Sequence, residues 1–124
     1  MKLINLKTNF SDDRGQITDL FENENINAAT HISFSKNAVR ANHYHKETTQ
    51  YNFVISGSIR LVTQMNDDEP KETILRKGSL AITLPYEKHA LQALEESELL
   101  VFTRGPRAGS EYETDTFRLD IPLI

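Results

Sequence analysis

The chain has 124 residues, 38% of them hydrophobic and 26% charged, a balance that supplies the core of one globular domain and excludes a disordered polypeptide. A net charge of −4 offers no basic face to a nucleic acid, and the absence of cysteine removes disulfides, thiol nucleophiles and thiolate metal sites. The N-terminal stretch turns polar within a few residues and no apolar run approaches the roughly 18 residues of a membrane span, so a cytoplasmic protein is expected.

Short segments of alternating polarity follow one another along the chain. Lys2 to Lys7 reads as a first strand, Ser11 to Gly15 as a turn, and Gln16 to Phe21 as a second strand with Ile17, Asp19 and Phe21 on one face. After a polar loop, Thr30 to Ser35 and Val39 to His45 alternate again, then Gln50 to Ser56, Ser58 to Gln64, Glu72 to Arg76, Leu80 to Leu84, His89 to Leu94 and Leu99 to Arg104. Asp67-Asp68-Glu69 marks a solvated hairpin end. Breakers from Arg104 to Ser110 precede a less regular ending whose apolar residues, Phe117 to Ile124, can pack back on the domain. No segment of helical length carries a 3.6-residue apolar period, and the spacing of short strands and turns predicts one all-β domain over residues 1–124, a sandwich or barrel. Phe53, Ile55, Leu61, Leu80, Ile82, Leu84, Leu91, Val101 and Phe102 are the expected core, and His31 is expected to pack beside Ile32 and Phe34.

The chemistry concentrates between Arg40 and Gly57, RANHYHKETTQYNFVISG. His43 and His45 are one residue apart, so in a strand both imidazoles project from the same face, roughly 6–7 Å apart along the backbone. Lys46, Glu47 and Thr48 read as the turn of a hairpin. The returning strand places Gln50, Asn52, Val54 and Ser56 on one face and Tyr51, Phe53 and Ile55 on the other, and Gly57 ends it. His89 follows Pro85 at the start of a later strand, and a closed double sheet brings such distant positions together. His43, His45, Gln50 and His89 are therefore expected to line one pocket.

The order His-x-His, Gln50, Gly57, then Gly78, Pro85 and His89 resembles the two motifs of the cupin superfamily, at 40–57 and 78–93 in this chain. The resemblance implies the small jelly-roll barrel, a double-stranded β-helix. Gln50 stands where many metal-binding cupins have glutamate, and Glu87 where a glycine is common. Within the superfamily, Arg40-x-x-His43-x-His45-Lys46-Glu47 with Gln50, Gly57-Ser58 and the early Asp13-Arg14-Gly15 is similar to the sugar-nucleotide 3,4-ketoisomerase branch and the related deoxysugar 3,5-epimerases. That branch implies an isomerase without a metal, in deoxysugar or polysaccharide biosynthesis, whose histidines move protons on a thymidine-diphosphate-linked 4-keto-6-deoxy sugar. The strand Thr30 to Ser35 lacks the branch's pocket tyrosine, and the segment from Arg104 departs from its usual ending. A homodimer is implied too, with Lys2 to Lys7 and Phe117 to Ile124 expected at its interface.

Residue chemistry agrees with the enzyme reading. Moving a ketone to a neighbouring carbon needs a base that also returns a proton, and imidazole titrates near neutrality. His43 and His45 are the expected catalytic pair. His45, Gln50 or Arg60 can donate to an enediolate oxygen, and Arg40, Arg60 and Arg104 are candidates for the diphosphate. Two alternatives stand beside it. In one, His43, His45, Gln50 and His89 bind a divalent metal (zinc, nickel, iron, copper or manganese) for dioxygenase-like or cyclase-like chemistry. In the other, the cupin binds a small molecule without turning it over.

Overall fold

A computed structural model describes residues 1–124. The chain forms twelve strands: β1 (Lys2–Ile4), β2 (Phe10–Asp12), β3 (Gly15–Ile17), β4 (Ala28–Phe34), β5 (Val39–Tyr44), β6 (Thr49–Ser56), β7 (Ser58–Met65), β8 (Lys71–Arg76), β9 (Leu80–Thr83), β10 (Glu87–Ala93), β11 (Ser97–Arg104) and β12 (Phe117–Arg118), with one 3₁₀ turn at Gly109–Glu111. Two five-stranded sheets carry the orders β1-β9-β6-β11-β4 and β12-β5-β10-β7-β8, and β2 and β3 form a separate hairpin. All pairings are antiparallel. No helix is long and apolar enough to cross a membrane.

The sheets face each other as the two walls of a jelly-roll barrel. One end of the interior is apolar: Val54, Leu99 and Val101 from the first sheet meet Ile59, Leu61, Leu75, Leu91 and Ala93 from the second, all buried. Each such leucine, isoleucine or valine contributes roughly 1.5–3 kcal/mol by leaving water. The other end is lined by the polar members of the same strand faces.

Three sequence expectations change in the fold. First, β5 and β6 do not pair as a hairpin: β5 belongs to the second sheet and β6 to the first, so Lys46 to Thr48 is a corner between the walls. Second, the interior face of β6 carries Gln50, Asn52 and Val54. Phe53 and Ile55, with Ile82, Leu84 and Phe102, are only partly buried, whereas Leu61, Leu80, Leu91 and Val101 are buried as expected. Both faces of this sheet are apolar, and alternation alone cannot choose between two apolar faces. Third, the strand expected over Gln16 to Phe21 stops at Ile17, and Phe21 instead packs its ring on Tyr51 and Phe102, with centroids 5.3 and 5.2 Å apart, against the outside of the first sheet.

Candidate active site

The cavity at the polar end encloses about 350 Å³ and is lined by residues of both walls and of the C-terminal segment. Its floor is set by strand parity and register. His43 and His45 share a face at the C-terminal end of β5, and His89 lies directly opposite His43 in the β10–β5 ladder. The imidazole centroids consequently sit 4.7 Å apart for His43–His45, 4.7 Å for His43–His89 and 5.2 Å for His45–His89. Gln50 reaches in from the other wall, with Oε1 3.3 Å from His45 Nε2. The four residues expected to converge are thus together.

Arg40 also lines this cavity. In a regular strand, residues three apart point to opposite faces, so Arg40 and His43 should diverge. They do not, because Ala41 (φ 71°) and Asn42 (φ 56°) are both in the left-handed region and the ladder shifts register opposite His89 and Ala90. This bulge restores parity: Arg40 is opposite Leu91 and His43 opposite His89. Non-glycine residues rarely adopt such angles. Here the Asn42 side chain holds the C-terminal residues, donating from Nδ2 to Ile124 O at 3.2 Å and accepting at Oδ1 from the N–H groups of Leu123 and Ile124 at 2.8 and 3.3 Å.

Two other expected residues are elsewhere. Arg60 lies between the interior residues Ile59 and Leu61, so alternation turns it to the outer face, where it bonds Glu72 at 2.8 Å and Gln92 at 3.3 Å. Arg104 follows the buried Thr103 and likewise points outward, to Glu24 at 3.2 Å. Neither lines the cavity. His31 is on the outside of β4, 3.4 Å from Glu98, while Ile32 and Phe34 face inward.

The ring orientations are fixed by main-chain acceptors. His45 Nδ1 is 2.9 Å from the carbonyl oxygen of Asp115 and His89 Nδ1 is 3.0 Å from that of Glu87. A carbonyl only accepts, so both Nδ1 atoms carry the hydrogen; His89 Nε2 is left to the cluster, and His45 Nε2 faces the Gln50 amide, whose NH₂ end is the one that can donate to it. His43 Nδ1 is buried with no partner. Burial, then the neighbouring imidazoles of His89 and His45, then Arg118 and Arg107, push the His43 pKa down to about 3. Burial pushes His89 down to about 4, with His45 adding to the effect against the opposing hydrogen bond to Glu87. Both rings are neutral at pH 7.

No local sequence pattern signals the C-terminal contribution. Arg107, Tyr112, Glu113, Thr116 and Arg118 wall the cavity mouth. Asp115 holds them there: its carboxylate, 6% exposed, accepts from Lys46 N, Glu47 N and Thr48 Oγ1 at 3.0, 2.9 and 2.7 Å. Burial acts to raise the Asp115 pKa, but the bonds from Thr48, Glu47 and Lys46 outweigh it and hold the group below the ordinary carboxylate value. Gly105 sits on the same corner; a Cβ there would come within 2.8 Å of the Thr48 backbone, so only glycine fits.

The donor set also fits a divalent ion. The ligand nitrogens of His43, His45 and His89 lie within 4.8 Å of one another, two of the rings are backed by carbonyls in the manner of metal-bound histidines, and the partnerless His43 nitrogen lacks only an acceptor of its lone pair. His43, His45 and His89 would hold such an ion, with the Gln50 amide oxygen beside them.

A sequence profile of the cupin family matches residues 10–111. Among curated proteins, none matches the chain. Among solved structures, a 3,4-ketoisomerase from Thermoanaerobacterium thermosaccharolyticum, a double mutant in complex with TDP, is 26% identical with a TM-score of 0.76, over 95% of this chain and 86% of that one. Another mutant of that enzyme, in complex with TDP-4-keto-6-deoxyglucose, is 24% identical with a TM-score of 0.77 over 95% and 86%. A dTDP-4-dehydrorhamnose 3,5-epimerase from Sulfolobus tokodaii is 23% identical with a TM-score of 0.69 over 81% and 68%. With the jelly-roll walls, the histidines converging between them and a profile that spans most of its length, the chain belongs to the cupin family.

Proposed function

We propose that this cupin is a sugar-nucleotide isomerase, a ketoisomerase or epimerase that acts beside the ketone of a 4-keto-6-deoxy sugar carried on a nucleoside diphosphate, in deoxysugar or polysaccharide biosynthesis. The observation that carries the reading is the imidazole cluster itself: three rings in contact, two with Nδ1–H tied to carbonyls and their Nε2 atoms turned to the cavity, His45 Nε2 beside Gln50, at the floor of a 350 Å³ cavity. The solved structures most pertinent to it are enzymes of this kind.

The chemistry follows from the ring geometry. Nε2 of His45 takes the proton from the carbon beside the ketone; the C–H electron pair becomes the C=C bond of an enediolate, and the carbonyl π pair settles on oxygen. Gln50, through its amide N–H, and His43 are the donors we assign to that oxygen. For ketone migration, a proton passes between the two enediol oxygens and the His45 imidazolium, after exchanging its proton with water, protonates the former carbonyl carbon. For epimerisation, His45 releases its proton to water and water delivers one to the opposite face of the same carbon. His43 and His89 are neutral near pH 7, so neither places a second positive charge beside His45 as it becomes imidazolium.

Incubation of the protein in D₂O with TDP-4-keto-6-deoxyglucose and a panel of nucleotide-linked keto sugars tests this. Deuterium enters the sugar ring, and His45→Asn slows entry by about 10²–10⁴-fold. A wild-type protein that exchanges no deuterium into any of them is not such an isomerase. A second reading rests on the same three histidines holding a divalent ion, which when bound would polarise a carbonyl oxygen as a Lewis acid. Elemental analysis of protein purified without chelator distinguishes the two.

A further inference from the structure

The wall formed by residues 105–118 is not used by the proton transfers above, yet it is built into the site. It leaves β11 at Gly105, packed on Thr48, is latched by Asp115 to the β5–β6 corner, and returns as β12 along β5. In that ladder Arg118 is directly opposite His43. Its guanidinium bonds the Ala41 carbonyl at 3.4 Å and Glu113 at 2.7 Å, and its side chain is 62% exposed. Arg107 lies 4.3 Å from the centroid of the Tyr112 ring and makes no ion pair. With Arg40, three guanidinium groups line one cavity against the single carboxylate of Glu113, on a chain whose net charge is −4.

This concentration of positive charge needs an anion. A cavity floor of imidazoles and an amide offers hydrogen bonds to a sugar ring, and a mouth holding Arg107, which has no ion pair, and Arg118, paired only with the exposed Glu113, suits the charged part of the same molecule. We infer that Arg107 and Arg118 form the subsite for the diphosphate, so that the C-terminal segment, not the outer-face arginines Arg60 and Arg104, selects nucleotide-linked sugars over free ones. The inference rests on the reading of the pocket as a nucleotide-sugar site. Planar guanidiniums pair with phosphate oxygens in a two-pronged fashion that lysine cannot copy. Glu113 can release Arg118 to the ligand, since an exposed ion pair is worth little.

Calorimetric titration with inorganic pyrophosphate, thymidine diphosphate and thymidine tests the subsite apart from catalysis. Both diphosphates bind the wild-type protein, thymidine binds far more weakly, and added salt weakens the diphosphates. Arg107→Gln and Arg118→Gln each raise the Kd for both diphosphates by about tenfold or more, and Arg107→Lys and Arg118→Lys fall between. Arg60→Gln and Arg104→Gln bind as the wild type does. Circular dichroism and thermal melting check that each variant is folded. A folded Arg107→Gln/Arg118→Gln variant whose diphosphate affinities stay within about twofold of wild type overturns the subsite, as does a wild-type protein that binds neither diphosphate. Turnover of a nucleotide sugar with KM unchanged in that double variant would overturn the subsite and leave the isomerase standing. Arginine-dependent diphosphate binding without any deuterium exchange would do the reverse.

Discussion

His45 and Asp115, which lie 70 positions apart in sequence, are joined by a 2.9 Å hydrogen bond from the imidazole Nδ1–H to the main-chain carbonyl. The same aspartate, through its side chain, closes the corner that follows His45. One residue therefore fixes both the tautomer of the proposed base and the segment that walls the cavity mouth.

Removal of that latch has a defined consequence. Asp115→Ala leaves the N–H groups of Lys46 and Glu47 and the Thr48 hydroxyl without their buried acceptor, and a loss of about 1–3 kcal/mol is expected. In urea unfolding the midpoint falls. In ¹⁵N spectra, His45 loses its fixed Nδ1–H tautomer and shows a mixture. An unchanged midpoint with an unchanged His45 spectrum would show that the carboxylate positions nothing.

Stability should fall on mild acidification. His43 and His89 have folded-state pKa values of about 3 and about 4, below the unfolded value near 6.5. Between about pH 6.5 and 4 the unfolded chain binds protons that the folded chain does not, so stability is whole above this window and is lost as pH falls through it. The slope approaches about 1.4 kcal/mol per pH unit for the buried His89 and less for the half-buried His43. Asp115, whose pKa is lowered, adds a further loss only as pH drops below the ordinary carboxylate range. Urea midpoints measured from pH 7 to 5 should decline in the wild type and decline less steeply in His89→Asn, where only His43 remains. A wild-type profile that is level over this range contradicts the assignment.

The bulge before His43 supplies a third expectation. Ala41 holds φ at 71°, a conformation that costs an alanine roughly 1–2 kcal/mol. Ala41→Gly removes that strain, retains the parity of Arg40 and His43, and is expected to keep pyrophosphate affinity with stability equal or up to about 1 kcal/mol higher. Ala41→Val places a β-branched residue in the left-handed region and should lower both. Equal behaviour of the two variants in thermal melts and titrations would mean that the bulge is not what aims Arg40.

Metal removal separates the two chemistries. Gln50 is neutral and offers an ion no compensating charge, whereas the proton transfers derived above need only the imidazoles. Deuterium exchange is therefore expected to survive dialysis against a chelator. Zinc or nickel added to the chelated protein raises its Tm through His43, His45 and His89, and His89→Asn abolishes the rise. Exchange that vanishes with the chelator and returns with one of these ions would transfer the reading to the metal site.

The outer face of the first sheet bears on assembly. Phe53, Ile55, Ile82, Leu100 and Phe102 lie there partly exposed, and we expect a second copy of the chain to cover them as a homodimer. In the C-terminal segment, Phe117 and Arg118 pair with β5 and Leu123 and Ile124 bond Asn42, while Ile121 stays exposed. Light scattering should give twice the chain mass for the wild type and one chain mass for Phe53→Glu/Phe102→Glu; a monomeric wild type removes the dimer.

What the sequence determined by itself is local in origin. Alternation is a property of the extended backbone, so the short strands, the absence of long helices, the shared face of His43 and His45 and the motif order that marks a cupin were all readable from neighbouring residues. The interior face of β6 was not, because Tyr51, Phe53 and Ile55 are as apolar as a core and only the second wall decides which side is inside. Nor was the aim of Arg40, which follows the left-handed angles at Ala41 and Asn42, where Asn42 is bonded to Leu123 and Ile124 and the Ala41 carbonyl to Arg118. Arg107, Arg118 and Asp115 entered the site through contacts across the whole chain. Such contacts are selected by packing and burial of the entire barrel, for which no stretch of letters carries a local signature.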